Sequence, residues 1–351
     1  MKYNSFLKLM LFGFICAFMA TSCVKEGPMG PVGADGKDGV DGANGRDGVD
    51  GKVTCQVCHS GTNMEAKQGE FAMSIHSSGA IAVEYAGGRA SCARCHSHEG
   101  FTQFAVLGSV YGDITNPTAW KCNTCHGLHK SFEGNDYALR MDDPIVPIAA
   151  INGVMDLKGN NNLCGTCHQS RSAEPGKDKP GENYTLTART YPHYSAQGNI
   201  VNGSGLAEIP GSVAYPAKGT SPHLAMAGGS CIGCHMGTFT ARQGGHSFIP
   251  SLKACNDCHG GTAITNYNYG GVQSDTQAKL DQLRDKLLAL GVITKTTVDG
   301  VDSYSPKAGS VPMVQAQAVF NYFGIKYDRS YGVHNPKYVK AVLQNTIEAL
   351  N

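Results

Sequence analysis

Cys55-Gln-Val-Cys58-His59, Cys92-Ala-Arg-Cys95-His96, Cys122-Asn-Thr-Cys125-His126, Cys164-Gly-Thr-Cys167-His168, Cys231-Ile-Gly-Cys234-His235 and Cys255-Asn-Asp-Cys258-His259 hold every cysteine beyond residue 23. Cys-x-x-Cys-His is the pattern of covalent haem c attachment. Two thiols three residues apart lie on one side of a helical turn, so both can bond to one haem. The adjacent histidine then meets the iron from the same side as its proximal ligand. Cys-x-x-Cys is also half of a zinc site, but zinc asks for no histidine directly after the second cysteine. Six repeats with no cysteine left over favour haem. The expectation is six haem c groups, with His59, His96, His126, His168, His235 and His259 as proximal ligands.

Outward from these motifs, the chain has 13 histidines, which leaves seven: His76, His98, His129, His193, His223, His246 and His334. Six irons closed by histidine on both sides need six distal ligands. The candidates are His76, His129, His193, His223, His246 and His334. His98, two residues beyond His96, is hardest to bring to another iron. Met226 or Met236 could also close an iron, although core filling is the commoner use of methionine. A fully closed iron has no place for a substrate and passes electrons only. An enzyme would need one open iron, and one of the six distal candidates would then lie far from any iron.

The N-terminus reads as a targeting segment. Lys2 and Lys8 precede an apolar stretch, Leu9 to Ala20, too short for a spanning helix. Ala20-Thr21-Ser22-Cys23 resembles a bacterial lipoprotein box, with Ala20 where leucine is common. Residues 1–22 are expected to be the signal, carrying Cys16 away with them, and Cys23 the lipidated residue. The alternative is an ordinary signal peptide with an incidental Cys23. Residues 23–51 follow as a stalk. Glycine recurs at every third position from Gly27 to Gly51, in a collagen-like register. Only Pro28 and Pro31 preset the required geometry, so a flexible spacer is the competing reading. A triple helix would make the protein a trimer.

Residues 52–351 form the expected haem domain. The motif gaps of 37, 30, 42, 67 and 24 residues show no fixed repeat. At roughly 50 residues per haem, no separate apolar core fits around each one, so the haems must form much of the core and pack closely. The 45 glycines and 16% charged residues favour a loop-rich chain, and a net charge of +1 without a basic run argues against a nucleic-acid partner. Helical periodicity strengthens only near the end. Asp275–Leu290 carries Leu280, Leu283, Leu287, Leu288 and Leu290, with Gly291 as a stop. A second helix starts near Pro312 with Val314, Ala318, Val319 and Phe323. A third follows Asn335-Pro336, with Tyr338, Val339, Val342, Leu343 and Ile347 on one side. These helices are expected to be ordinary core helices, packed on the haem cluster or mediating a dimer. The fold class is mainly α with much irregular loop.

Asp328-Arg329-Ser330-Tyr331-Gly332-Val333-His334-Asn335-Pro336-Lys337-Tyr338 resembles the closing segment of multihaem cytochromes c related to ammonia-forming nitrite reductase. The resemblance implies a distal-ligand role for His334. Cys231 to His259, with Gly245-His246-Ser247-Phe248 between two motifs, is similar to segments of the same superfamily and implies a ligand role for His246. That reductase attaches its catalytic haem through a motif ending in lysine, whereas all six motifs here end in histidine. Its activity is therefore not carried over, and packed haems in a helical, loop-rich fold are what the resemblance implies. The resulting expectation is an electron-transfer protein of the bacterial cell envelope, facing the periplasm or the outside. It would be held to the membrane by lipid and would exchange electrons with redox proteins or an external acceptor. A multihaem oxidoreductase acting on a small nitrogen or sulfur compound is the alternative. A collagen-like scaffold with incidental haems is the third reading.

Overall fold

The computed structural model describes residues 54–132, 136–149, 153–177, 181–194, 196–225 and 230–351, all within one compact unit, Lys52–Asn351. The signal, Cys23, the Gly27–Gly51 stalk and Met226 lie outside these residues. The fold is mainly helical with long irregular segments and little sheet. Among the described residues no helix is long and apolar enough to cross a membrane.

Each of the six motifs lies on or at the end of a short helix: α1 Thr54–His59, α2 Ala90–His96, α3 Cys122–Cys125, α4 Asn161–Cys167, α5 Ser230–His235 and α6 Leu252–Cys258. Such helices are too short to be stable alone and depend on what they pack against. α2 shows how one is ended. Ser97 turns to extended dihedrals after His96, and its hydroxyl then caps the next helix, His98–Leu107, by accepting from the Gly100 amide at 3.2 Å. The two helices touch so closely that a Cβ on Gly100 would sit 2.4 Å from the Ala93 backbone, which admits only glycine there.

The C-terminal quarter is built differently. α7 (Val272–Ala289), α8 (Met313–Asp328) and α9 (Pro336–Glu348) pack against one another around a continuous apolar core. Leu280, Leu283 and Leu287 face Ala316, Val319, Phe320 and Phe323, and Val339, Val342, Leu343 and Ile347 close the third side. Each fully buried aliphatic or aromatic side chain contributes about 1.5–3 kcal/mol. Pro336 occupies the first turn of α9, and the Asn335 side chain caps it at the Tyr338 amide, 3.2 Å away. Leu290 is 43% exposed beyond the end of α7, so it leaves the expected apolar face. These helices reach the cavity described below mainly through their ends, at residues such as Val272, Asp328 and His334. They form a core of their own, rather than laying their apolar faces on the cofactor region.

Two small sheets complete this part. β1 (Asn183–Leu186) pairs antiparallel with β4 (Gly309–Pro312), and β2 (Ile293–Val298) pairs with β3 (Val301–Pro306). The β2–β3 turn is Asp299-Gly300, both at positive φ, a two-residue hairpin that the sequence reading passed over. Buried amides tie the segment 206–213 to the helices. Asn321 accepts from the Ala207 amide at 2.8 Å, and its NH2 donates to the Ala207 carbonyl and the Thr346 hydroxyl, each at 2.9 Å. Asn345 binds both backbone groups of Val213 in the same way, at 2.9 and 2.8 Å.

Outside the C-terminal part, the main buried apolar cluster is small: Ile145, Met155, Leu157, Val201 and Leu224. Asn321→Leu keeps the branched shape of its side chain but leaves the Ala207 amide and carbonyl buried without this partner. The expected loss is about 2–3 kcal/mol of stability, read as a lower denaturant midpoint by circular dichroism. An unchanged midpoint would mean that this amide does not hold the loop.

Candidate functional site

One cavity of about 3020 Å³ runs through the motif region. Shared among six groups it offers about 500 Å³ each, within the usual ~300–1,000 Å³ of a cofactor pocket. Eleven of the twelve motif cysteines and all six motif histidines line it, and so do His76, His129, His193, His223, His246 and His334. His98 does not.

The twelve lining imidazoles stand in six pairs. Ring centroids are 6.0 Å apart for His59 and His129, 6.0 Å for His96 and His193, and 6.2 Å for His126 and His246. They are 6.1 Å apart for His168 and His76, 6.4 Å for His235 and His334, and 6.2 Å for His259 and His223. Every pair joins one motif histidine to one of the six distal candidates. A metal held between two imidazoles, with metal–nitrogen bonds of about 2.0 Å and about 1.1 Å from nitrogen to ring centre, requires roughly 6.2 Å. Direct ring stacking would bring the centroids closer. Among the described residues no three His, Cys, Asp or Glu side chains converge as a closed zinc site would need. The residues fit a haem c at each motif.

Second hydrogen bonds orient many of these rings. Nδ1 of His126 donates to the Tyr137 carbonyl at 2.7 Å, that of His235 to the Phe248 carbonyl at 2.8 Å, and that of His223 to the Val333 carbonyl at 2.7 Å. His168 Nδ1 meets Gln197 Oε1 at 3.1 Å, and His334 Nδ1 meets Asp328 Oδ1 at 2.6 Å. A proton held on Nδ1 leaves the Nε2 lone pair free, which is the form that binds a metal. Burial, and then the facing His168, pull His76 down to about 4; burial, and then His96, do the same for His193. Both are neutral at pH 7. Burial also pulls on His334, but the Asp328 carboxylate outweighs it and its pKa is raised.

The motif helices adjoin one another in a branched order. α4 packs on α2 and on α5, and α5 packs on α6. The Cys95 sulfur lies 3.8 Å from the Thr166 carbonyl oxygen and the Cys167 sulfur 3.9 Å from that of Arg94, so the second and fourth motifs touch. Cys231 and burial push the Cys164 thiol up, and Cys95 and burial do the same for Cys167; Cys125 of the third motif adds a smaller push to both. His129, which pairs with the first motif, follows His126 of the third by three residues. Phe248 serves three sites. Its carbonyl holds His235, its ring stands edge-on to His76 at 4.9 Å, and His246 lies two residues before it.

The remaining histidine has a structural contact. His98 Nδ1 is hydrogen-bonded to Thr124 Oγ1 at 2.7 Å and joins the helix after α2 to α3. Met236 lines the cavity, but the position facing each motif histidine is taken by another histidine. Sequence reasoning missed Gln197, Glu70 and Asp328 as partners of the paired imidazoles. Glu70 is 6% exposed, accepts from the His246 amide at 2.9 Å and lies 3.6 Å from His246 Nδ1, although 176 residues separate them. No local pattern announces such a contact.

No family model and no curated protein matches the chain. Among solved structures it is similar to the outer cell wall cytochrome OcwA, with a TM-score of 0.54 and 19% sequence identity. The match covers 81% of this chain and 50% of that cytochrome, so the chain spans half its length. At that identity the likeness is one of fold.

Proposed function

We propose that this chain is a membrane-anchored hexahaem c-type cytochrome that passes electrons along a series of bis-histidine haems, in extracellular or envelope electron transport. The observation that carries the reading is the six imidazole pairs, each joining a motif histidine to a distal candidate at 6.0–6.4 Å across one cavity. The fold likeness to an outer cell wall cytochrome supports it. So does the resemblance of the Asp328–Tyr338 segment to multihaem cytochromes related to ammonia-forming nitrite reductase.

When bound, haem c supplies an iron that takes up and returns one electron without changing its ligands. The chain does the rest. The twelve thiols, Cys55, Cys58, Cys92, Cys95, Cys122, Cys125, Cys164, Cys167, Cys231, Cys234, Cys255 and Cys258, hold the six groups covalently. The paired histidines would hold each iron between them and leave no position for substrate or water. Hydrogen bonds on Nδ1 fix five of the rings, those of His126, His168, His223, His235 and His334, so little reorganises there when the charge changes. Adjoining motif helices keep neighbouring groups close. The order of contacts makes the fourth site a junction, with branches to the second, to the third and first, and to the fifth and sixth. Lipid on Cys23 and the Gly27–Gly51 segment would hold this domain away from a membrane. The stalk as a trimer and the C-terminal helices as a dimer contact are the two assembly routes consistent with this reading.

The oxidoreductase alternative requires an open iron, and the two readings separate in one experiment. A pyridine haemochrome assay should give six haems per chain, and carbon monoxide should leave the reduced spectrum unchanged. A change equivalent to one haem would move the enzyme reading to the front. Ring planes supply a second check. Four pairs cross at 70° to 89°, whereas His126–His246 and His235–His334 are tilted by 36°. Near-perpendicular imidazoles give a ferric low-spin resonance with a large maximal g-value, and rings closer to parallel give a rhombic one. Electron paramagnetic resonance should therefore show the two kinds in a ratio of about four to two. A single kind would contradict the pairing.

A further inference from the structure

The shortest hydrogen bond made by any paired imidazole is the one from His334 Nδ1 to Asp328 Oδ1, at 2.6 Å. Asp328 ends α8 and its side chain is 1% exposed. We propose that Asp328, acting as a positioning and tuning residue through His334, makes the site at Cys231–His235 the hardest of the six to reduce. The proposal rests on the hexahaem reading and adds to it an assignment of relative potential.

A carboxylate bound to the outer nitrogen of a ligand imidazole makes that imidazole a stronger donor. It also places a negative charge where the oxidised, more positive iron is favoured over the reduced one. Two other carboxylates approach a distal candidate. Asp136 lies 3.7 Å from His129 Nδ1, and Glu70 lies 3.6 Å from His246 Nδ1, so neither is hydrogen-bonded there. Their charge is also taken up elsewhere. Asp136 accepts the amides of Lys130, Ser131, Phe132 and Ala138 at 2.6 to 3.2 Å. Glu70 accepts from Lys67 Nζ at 2.7 Å and from the His246 amide. Asp328 has no lysine or arginine partner among the described residues, and its other side-chain partner is the neutral Ser330 hydroxyl. His126, His168, His223 and His235 meet only neutral oxygens, whose hydrogen bonds are about half as strong as those to an ionised acceptor.

The turn that holds this pair is tightly specified. Arg329, Tyr331 and Gly332 all have positive φ, at 62°, 49° and 92°. Such a run persists only where the surroundings enforce it. Here a Cβ on Gly332 would come within 2.6 Å of Thr276 Oγ1 on α7. Gln197 then links the site to the junction: its Oε1 faces His168 Nδ1, and its Nε2 donates to the Asp328 carbonyl at 3.4 Å. The fifth motif helix lies between the sixth and that of the junction, so the route along adjoining helices includes the site that holds the electron least well. One electron moves in each transfer and no other group is exchanged.

A spectroelectrochemical titration of the full haem-loaded chain tests this. In the native protein the most negative component should account for one sixth of the haem absorbance. Asp328→Asn should move that component positive by tenfold or more in its reduction equilibrium, ~59 mV for one electron. Asp328→Glu should keep most of the native value, and Asp136→Asn should shift its own component by less. An Asp328→Asn protein with six low-spin haems and an unmoved most negative component would overturn the proposal. Should that variant fail to fold, Ser330→Ala decides: losing the neutral donor leaves more charge on His334, and the same component must become more negative. No shift, or a positive one, overturns it. A native haem count other than six would instead sink the hexahaem reading itself.

Discussion

Twelve imidazoles and eleven thiols surround one cavity of about 3020 Å³, and the rest of the chain is arranged to keep them there. Two rings facing each other 6.0–6.4 Å apart gain nothing from contact at that separation. They are too far apart to stack, and all but the exposed His59 are only partly open to solvent. A metal ion between two nitrogens is the simplest group that fits the spacing. The short motif helices make sense on the same ground. With only a small buried apolar cluster in this region, they are suited to packing against a large planar group.

The C-terminal helices act as the rigid frame. Their core of leucine, valine and phenylalanine is complete without the cavity. The ends of α7 and α8 and the start of α9 then present the Asp328–Pro336 turn to it. The buried side chains of Asn321 and Asn345 extend this frame to residues 206–213, while Asn335 donates to the Ile200 carbonyl at 3.2 Å. Most of the remaining ring supports come from irregular loops, such as the carbonyls of Tyr137, Phe248 and Val333. Loops suit that task, because a helix or strand spends its carbonyls on its own hydrogen bonds.

The motif cysteines and histidines could be picked out because Cys-x-x-Cys-His is a fixed local spacing, repeated six times. The six distal candidates were legible by number, since the chain has few other histidines. Their partners were not, because pairing depends on where some 300 residues of folded chain bring each ring. His76 meets His168 across 92 positions, and His246 meets His126 across 120. The long C-terminal helices were read near their observed bounds from leucine spacing, Pro336 and Gly291. The Asp299-Gly300 hairpin was passed over, although its two-residue turn is a local signal. Glu70, Gln197 and Asp328 carry no motif at all. Their importance comes from burial and distance, which only the folded chain provides.

The proposed chain of closed sites, with a branch at its centre, would suit the movement of electrons better than the transformation of a substrate. Anomalous diffraction from crystals of the haem-loaded protein at the iron edge tests that account most directly. It should show six iron peaks, each midway between one motif histidine and the distal histidine paired with it here. A peak with His129, His193, His223, His246, His334 or His76 missing from its second face would contradict the account, as would fewer than six peaks.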